Sequence, residues 1–175
     1  MRKALLVTAA LLPLGVALPA SAADTTTTFS LTAGALSVTA PASADLGSGS
    51  VGSPVTASLG SVSVSDNRGT LLGSWTVTVS SSDFTTGAQS ADETIGKANV
   101  SYWSGLATAF SGTAVLVPGQ AAALNAVALG TSATAFSATG TVGSNTATWS
   151  PTVVVTPPAA AVVGTYTGTI THSVA

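Results

Sequence analysis

The stretch from Ser74 to Ser80 restricts the fold of this chain more than any other. It reads Ser-Trp-Thr-Val-Thr-Val-Ser, so Trp75, Val77 and Val79 share one side of an extended strand while Ser74, Thr76, Thr78 and Ser80 share the other. A two-residue period with one apolar and one hydroxyl face belongs to a sheet packed on one side and wet on the other. Turn signals flank it. Asp66-Asn67-Arg68-Gly69 offers side-chain acceptors for nearby backbone N–H groups and a glycine for positive φ, so a turn is expected there. Ser81 to Gly87 closes the strand, with Phe84 expected beneath that second turn.

The same alternation recurs along the chain. Phe29, Leu31 and Ala33 are followed by Leu36, Val38 and Ala40 in the opposite phase, which predicts a bulge beside Gly34. Val55, Ala57 and Leu59 change phase to Val62 and Val64 across Gly60, which predicts a second bulge. Ala88 to Lys97 is the most polar segment and reads as an excursion from the sheets. Asn99–Ser104, Gly112–Val117, Asn125–Leu129 and Ala133–Thr139 are further short strands, and Gly119 to Ala123 is the one helical-looking piece. Trp149, Val153 and Val155 share a phase, with Pro151 marking an edge or bulge. After Gly164, Tyr166, Gly168, Ile170, His172 and Val174 alternate with Thr165, Thr167, Thr169, Thr171 and Ser173. Roughly nine to eleven short strands at this spacing predict a single antiparallel β-sandwich, immunoglobulin-like or jelly-roll-like. No fixed-period repeat points to a propeller or solenoid.

Residues 1–22 read as a signal peptide. Arg2 and Lys3 precede an apolar run from Ala4 to Leu18, and Ala20-Ser21-Ala22 supplies the small residues of a cleavage site. The expected mature domain is residues 23–175, one β-sandwich. There Arg68 and Lys97 face Asp24, Asp45, Asp66, Asp83, Asp92 and Glu93, net −4. Such a balance lacks the electrostatic footprint of a nucleic-acid binder. With no cysteine, the chain has neither a disulfide scaffold nor a lipid attachment site. Charged residues are 6% of the chain against roughly a quarter in ordinary domains, so Thr and Ser hydroxyls must solvate the outer faces. Export, Thr/Ser/Ala/Gly richness and absence of cysteine fit a bacterial, especially Gram-positive, surface or secreted protein. No later run has transmembrane length and no LPxTG-like sorting signal follows. The expectation is a protein released, or held at the surface, without an anchor in the mature chain.

Chemistry-bearing constellations are sparse. His172, the single histidine, lies on the apolar face of the last strand and reads as a core or edge histidine, since no triad or ligand spacing accompanies it. One histidine and no cysteine cannot make a zinc site. Asp66 with Asn67, or Asp92 with Glu93, offers oxygens for calcium, but no EF-hand-like loop exists and turn chemistry explains both pairs better. The acids sit in turns and termini, which leaves a paired-carboxylate hydrolase unsupported. No Gly-rich phosphate loop opens a helix, and Asn99-Val100-Ser101 is a sequon by chance. No cofactor is expected. Of the three tryptophans, Trp75 and Trp149 lie in apolar phase and read as core anchors. Tyr102 and Trp103 point to opposite faces, so one of the two is expected exposed or at an edge, with Trp103 the favoured sugar platform.

Asp66, Arg68 and Gly69, then Ser74 to Ser80, then Ser82-Asp83-Phe84 resemble the proximal motif of WxL-domain cell-surface proteins of Gram-positive bacteria. Gly164 to Val174 resembles the distal motif. The first W-x-L stands here as Trp75-Thr76-Val77. In the second, which begins at Tyr166, His172 replaces the tryptophan and Val174 the leucine, a divergence of the kind expected in actinobacteria. The resemblance implies noncovalent attachment to a cell-wall polymer, peptidoglycan or an attached glycan, with Trp75, Val77, Tyr166, His172 and Val174 as motif residues and other surface proteins as further partners. The expectation is a secreted, non-enzymatic wall-binding module. Two alternatives stand beside it: a structural surface protein self-assembling by β-strand edge pairing, and a carbohydrate-binding module using Trp103.

Overall fold

The computed structural model describes residues 24–175, so the signal-peptide expectation lies outside the described residues. Chain contacts gather residues 32–175 into one compact unit. Residues 24–31 are extended, with Phe29 and Leu31 exposed. The strand expected over Phe29 to Ala33 therefore does not form. Pairing begins at Gly34, whose N–H donates to the Asn67 carbonyl.

Among the described residues there are eleven strands: β1 (Leu36–Thr39), β2 (Val55–Ser58), β3 (Val62–Ser81), β4 (Phe84–Thr85), β5 (Thr94–Ile95), β6 (Val100–Trp103), β7 (Ala107–Pro118), β8 (Val127–Ala128), β9 (Ala133–Trp149), β10 (Thr152–Val155) and β11 (Ile170–Val174). The fold is an all-β antiparallel sandwich. One sheet runs β1-β3-β9-β7 with β11 also on β3, the other runs β2-β10-β6-β8, and β4-β5 is a small third ladder. The helical-looking segment at Gly119–Ala123 gives only a 3-10 turn, Ala123–Asn125.

Three strands of one sheet continue into three of the other along a common corner. β2 leads into β3, β6 into β7 and β9 into β10, and neighbours stay neighbours throughout. Thr152 pairs with Ser58 and Trp103 on one side of the corner, while Trp149 pairs with Val62 and Ala107 on the other. Strands that change sheets at a bend are a known way to close a two-layer core. The phase change at Gly60 is thus a passage between sheets, not the expected bulge, and Pro151 stands at the matching point. The Leu59 N–H donates to the Pro151 carbonyl at 2.9 Å, tying the two crossings together.

Two strands are far longer than expected, 20 residues for β3 and 17 for β9. The turn expected at Asp66–Gly69 is instead a bulge inside β3, with the register against β9 shifting between Asp66 and Thr70. Side-chain chemistry explains why the chain continues. Asp66 Oδ1 accepts from the Arg68 N–H at 3.1 Å and from Arg68 Nε at 2.9 Å, and Gly69 takes φ 67°. The expected Asx-type bond exists, but β9 retains the strand on both sides of it.

The expected alternation in Ser74–Ser80 holds: Trp75, Val77 and Val79 are buried, and Ser74, Thr76 and Thr78 are exposed. Trp149 is also fully buried and stacks on Phe136 with ring centroids 4.8 Å apart. Trp75 Nε1–H donates to Asn145 Oδ1 at 3.0 Å, and Asn145 Nδ2 donates to Asp66 Oδ2 at 3.3 Å. The Arg68 hydrogen bonds hold the Asp66 carboxyl below its ordinary pKa, so the buried end of this network stays ionised. Trp75→Ala should cost about 3–5 kcal/mol in urea unfolding. Asn145→Ala, which strands the buried indole N–H, should cost about 1–3 kcal/mol.

Candidate functional site

The deepest open feature is a cleft of about 890 Å³ between two loops, residues 44–51 and 161–168. Its floor is apolar: Val55 of β2, Val155 of β10, Phe84 of β4 and Ile95 of β5. Those positions follow from strand phase, since β2 and β10 pair Val55 with Val155 at their ends, beyond which the core is left uncapped. β4 and β5 pair Phe84 with Ile95 and bring a second apolar wall to the same opening. Gly168 makes the approach possible. A Cβ there would fall 2.6 Å from two ring carbons of Phe84, so a side chain at this position would displace the ring.

The rim is made of Gly, Ser and Val. Tyr166 lines the cleft, and its hydroxyl donates to the Val162 carbonyl at 2.9 Å, which fixes the loop that carries it. Asp45 is the single ionisable carboxylate on the walls and accepts from the Gly47 N–H at 2.8 Å. No lysine or arginine lines the cleft. Such a site suits an uncharged ligand with apolar faces and hydrogen-bonding edges.

Of the motif residues, Trp75 and Val77 are buried in the core and cannot touch a ligand. β11 lies antiparallel on β3, with His172 opposite Val79 and Val174 opposite Val77. The two motif strands, far apart in sequence, are therefore hydrogen-bonded neighbours. Tyr166 alone of the five motif residues lines the cleft. Tyr102, offered as an exposed aromatic, is fully buried. The reason is that its hydroxyl finds partners inside: Trp149 Nε1–H donates to it at 3.4 Å, and it lies 3.1 Å from His172 Nε2. Burial raises the Tyr102 pKa above its usual range. Trp103 is half-buried on the outer side of β6 and does not line the cleft.

The two oxygen pairs weighed for calcium are otherwise engaged. Asp66 serves Arg68 and Asn145, and Glu93 Oε2 accepts from Ser90 N at 3.0 Å and Ser90 Oγ at 2.8 Å. Among the described residues no group of three or more His, Cys, Asp or Glu comes together. Sequence reasoning missed the cleft loops. Their one signal was aliphatic residues in otherwise polar segments: Val51, Val162 and Val163, all exposed. No family model, curated protein or solved structure matches the chain.

Burial pushes the His172 pKa from 6.5 down to about 4. The unfolded chain therefore takes up a proton at higher pH than the folded one. Stability contributed by neutral His172 is complete above about pH 6.5 and falls as pH drops towards 4, by roughly 2–3 kcal/mol. Urea midpoints measured across that window should show the slope, and His172→Gln should flatten it.

Proposed function

We propose that the protein is a secreted, noncovalently cell-wall-associated binding module of WxL-like type, without catalytic activity. The observation that carries this reading is the cleft between residues 44–51 and 161–168, whose floor is apolar and whose lining holds one carboxylate and no cation. A neutral segment of peptidoglycan or an attached glycan matches that chemistry, since sugar faces are apolar and their edges hydrogen-bond. Asp45 without a second acid gives no pair for general acid and base work on a glycosidic bond. The position of Tyr166, from the distal motif, on the cleft wall supports the same reading.

Edge pairing between copies is favoured by a separate observation. β7 is a free edge of twelve residues with no charged side chain, and Val115 and Val117 are exposed on it. In this second reading the module assembles at the surface as well as binding there. Association that grows with concentration in sedimentation supports it, and a strict monomer removes it.

For the wall-binding reading, residues 23–175 should pellet with purified Gram-positive cell walls. Val163 lines the cleft and is 94% exposed, so Val163→Asp leaves the fold intact and tests the site. It should weaken pelleting about tenfold, the equivalent of 1.4 kcal/mol. A mature protein that stays in the supernatant while a WxL-domain control pellets contradicts the proposal.

A further inference from the structure

The cleft has an inner neighbour. A chamber of about 160 Å³ lies against it, and the two share Ala44, Leu46, Phe84 and Gly168 as walls. His172 is the one ionisable side chain lining the chamber, and no lysine or arginine lines either space.

The core assigns the tautomer of that histidine. Trp149 Nε1–H can only donate, and it donates to the Tyr102 oxygen. The Tyr102 proton then has one acceptor within reach, His172 Nε2 at 3.1 Å. Nε2 is therefore the acceptor and the imidazole proton sits on Nδ1. Nδ1 is buried and has no hydrogen-bond partner. A buried donor left unanswered is costly, and native cores rarely keep one without a use.

The rest of the chamber narrows what can answer it. Leu59, Val62, Phe84 and Ile170 make its walls apolar, with Ser43 and Thr169 exposed on its outer side. A lone water needs two to four polar partners, which these walls do not surround it with. A carboxylate would be buried without a cation. The fitting group is small and neutral, with a carbonyl oxygen and a methyl.

We propose that the chamber seats the acetamido group of an N-acetylated sugar, its carbonyl oxygen accepting from His172 Nδ1–H and its methyl packed on Leu59, Val62 and Ile170. The sugar ring then lies in the cleft beneath Tyr166, and the amide N–H faces Ser43 and Thr169. This rests on the wall-binding reading and names the part of the wall polymer that is recognised. It makes His172, in the place of the motif tryptophan, the residue that selects acetylated from non-acetylated sugar.

The test uses 15N-labelled residues 23–175, in which His172 is the single histidine and its ring nitrogens are read without ambiguity. Triacetylchitotriose is titrated beside cellotriose, a neutral trimer lacking acetamido groups. The expected result is a saturating shift of the His172 Nδ1 resonance with the acetylated trimer and at least tenfold weaker binding of cellotriose. His172→Phe, checked for its fold by near-ultraviolet circular dichroism, should lose that preference. If the variant does not fold, the wild-type titration decides alone. An Nδ1 resonance unmoved at saturation, as from a chamber holding only water, overturns the proposal, as does equal affinity for both trimers. Pelleting with cell walls separates the levels: a protein that pellets without discriminating the trimers loses this inference and keeps the wall reading, and one that does neither loses both.

Discussion

Burying Trp75 creates an obligation that shapes the middle of the larger sheet. Its indole N–H cannot reach water, so Asn145 from β9 accepts it. Asn145 must then place its own amide protons, and Asp66 receives one of them. Asp66 is a buried carboxylate, tolerable only because Arg68 folds back on it. That return is what bulges β3 at Asn67–Gly69 without ending it. One packing decision therefore explains the ion pair, the bulge and the length of the strand.

The long strands serve a chain with few charges. β3 carries β1 on the first half of one edge and β11 on the second half, so a single strand organises both ends of the compact unit. The shared corner then folds β3, β9 and β7 over onto β2, β10 and β6 with no change of neighbours. The core forms between the two halves of one three-stranded ribbon. What the ribbon leaves open, beyond Val55 and Val155, is the cleft. The site is thus a consequence of where the smaller sheet stops and of the loops that cross its end.

Residue alternation made β3 legible in advance, down to the faces of Trp75, Val77 and Val79. The same pattern misread β9, because Gly140, Gly143, Ser144 and Asn145 look like breakers. The two glycines take positive φ beside shifts in register, and the ladder to β3 carries on around them. Tyr102 and Trp103 show another limit. Period two placed them on opposite faces, but which face was inner depended on Trp149 and His172, partners distant in the chain. The cleft was least legible of all. Loops of Gly, Ser and Val carry no chemical signature until the topology sets residues 44–51 opposite 161–168. Tyr166 was singled out from its motif, and its place on the cleft wall came only with the fold.

The account turns on that cleft being where a wall glycan binds. Backbone-amide NMR of residues 23–175 titrated with solubilised cell-wall glycan tests it most directly. The account predicts that shifts concentrate in residues 44–51 and 161–168. Shifts confined to the outer face of the five-stranded sheet, or to the β7 edge, would contradict it.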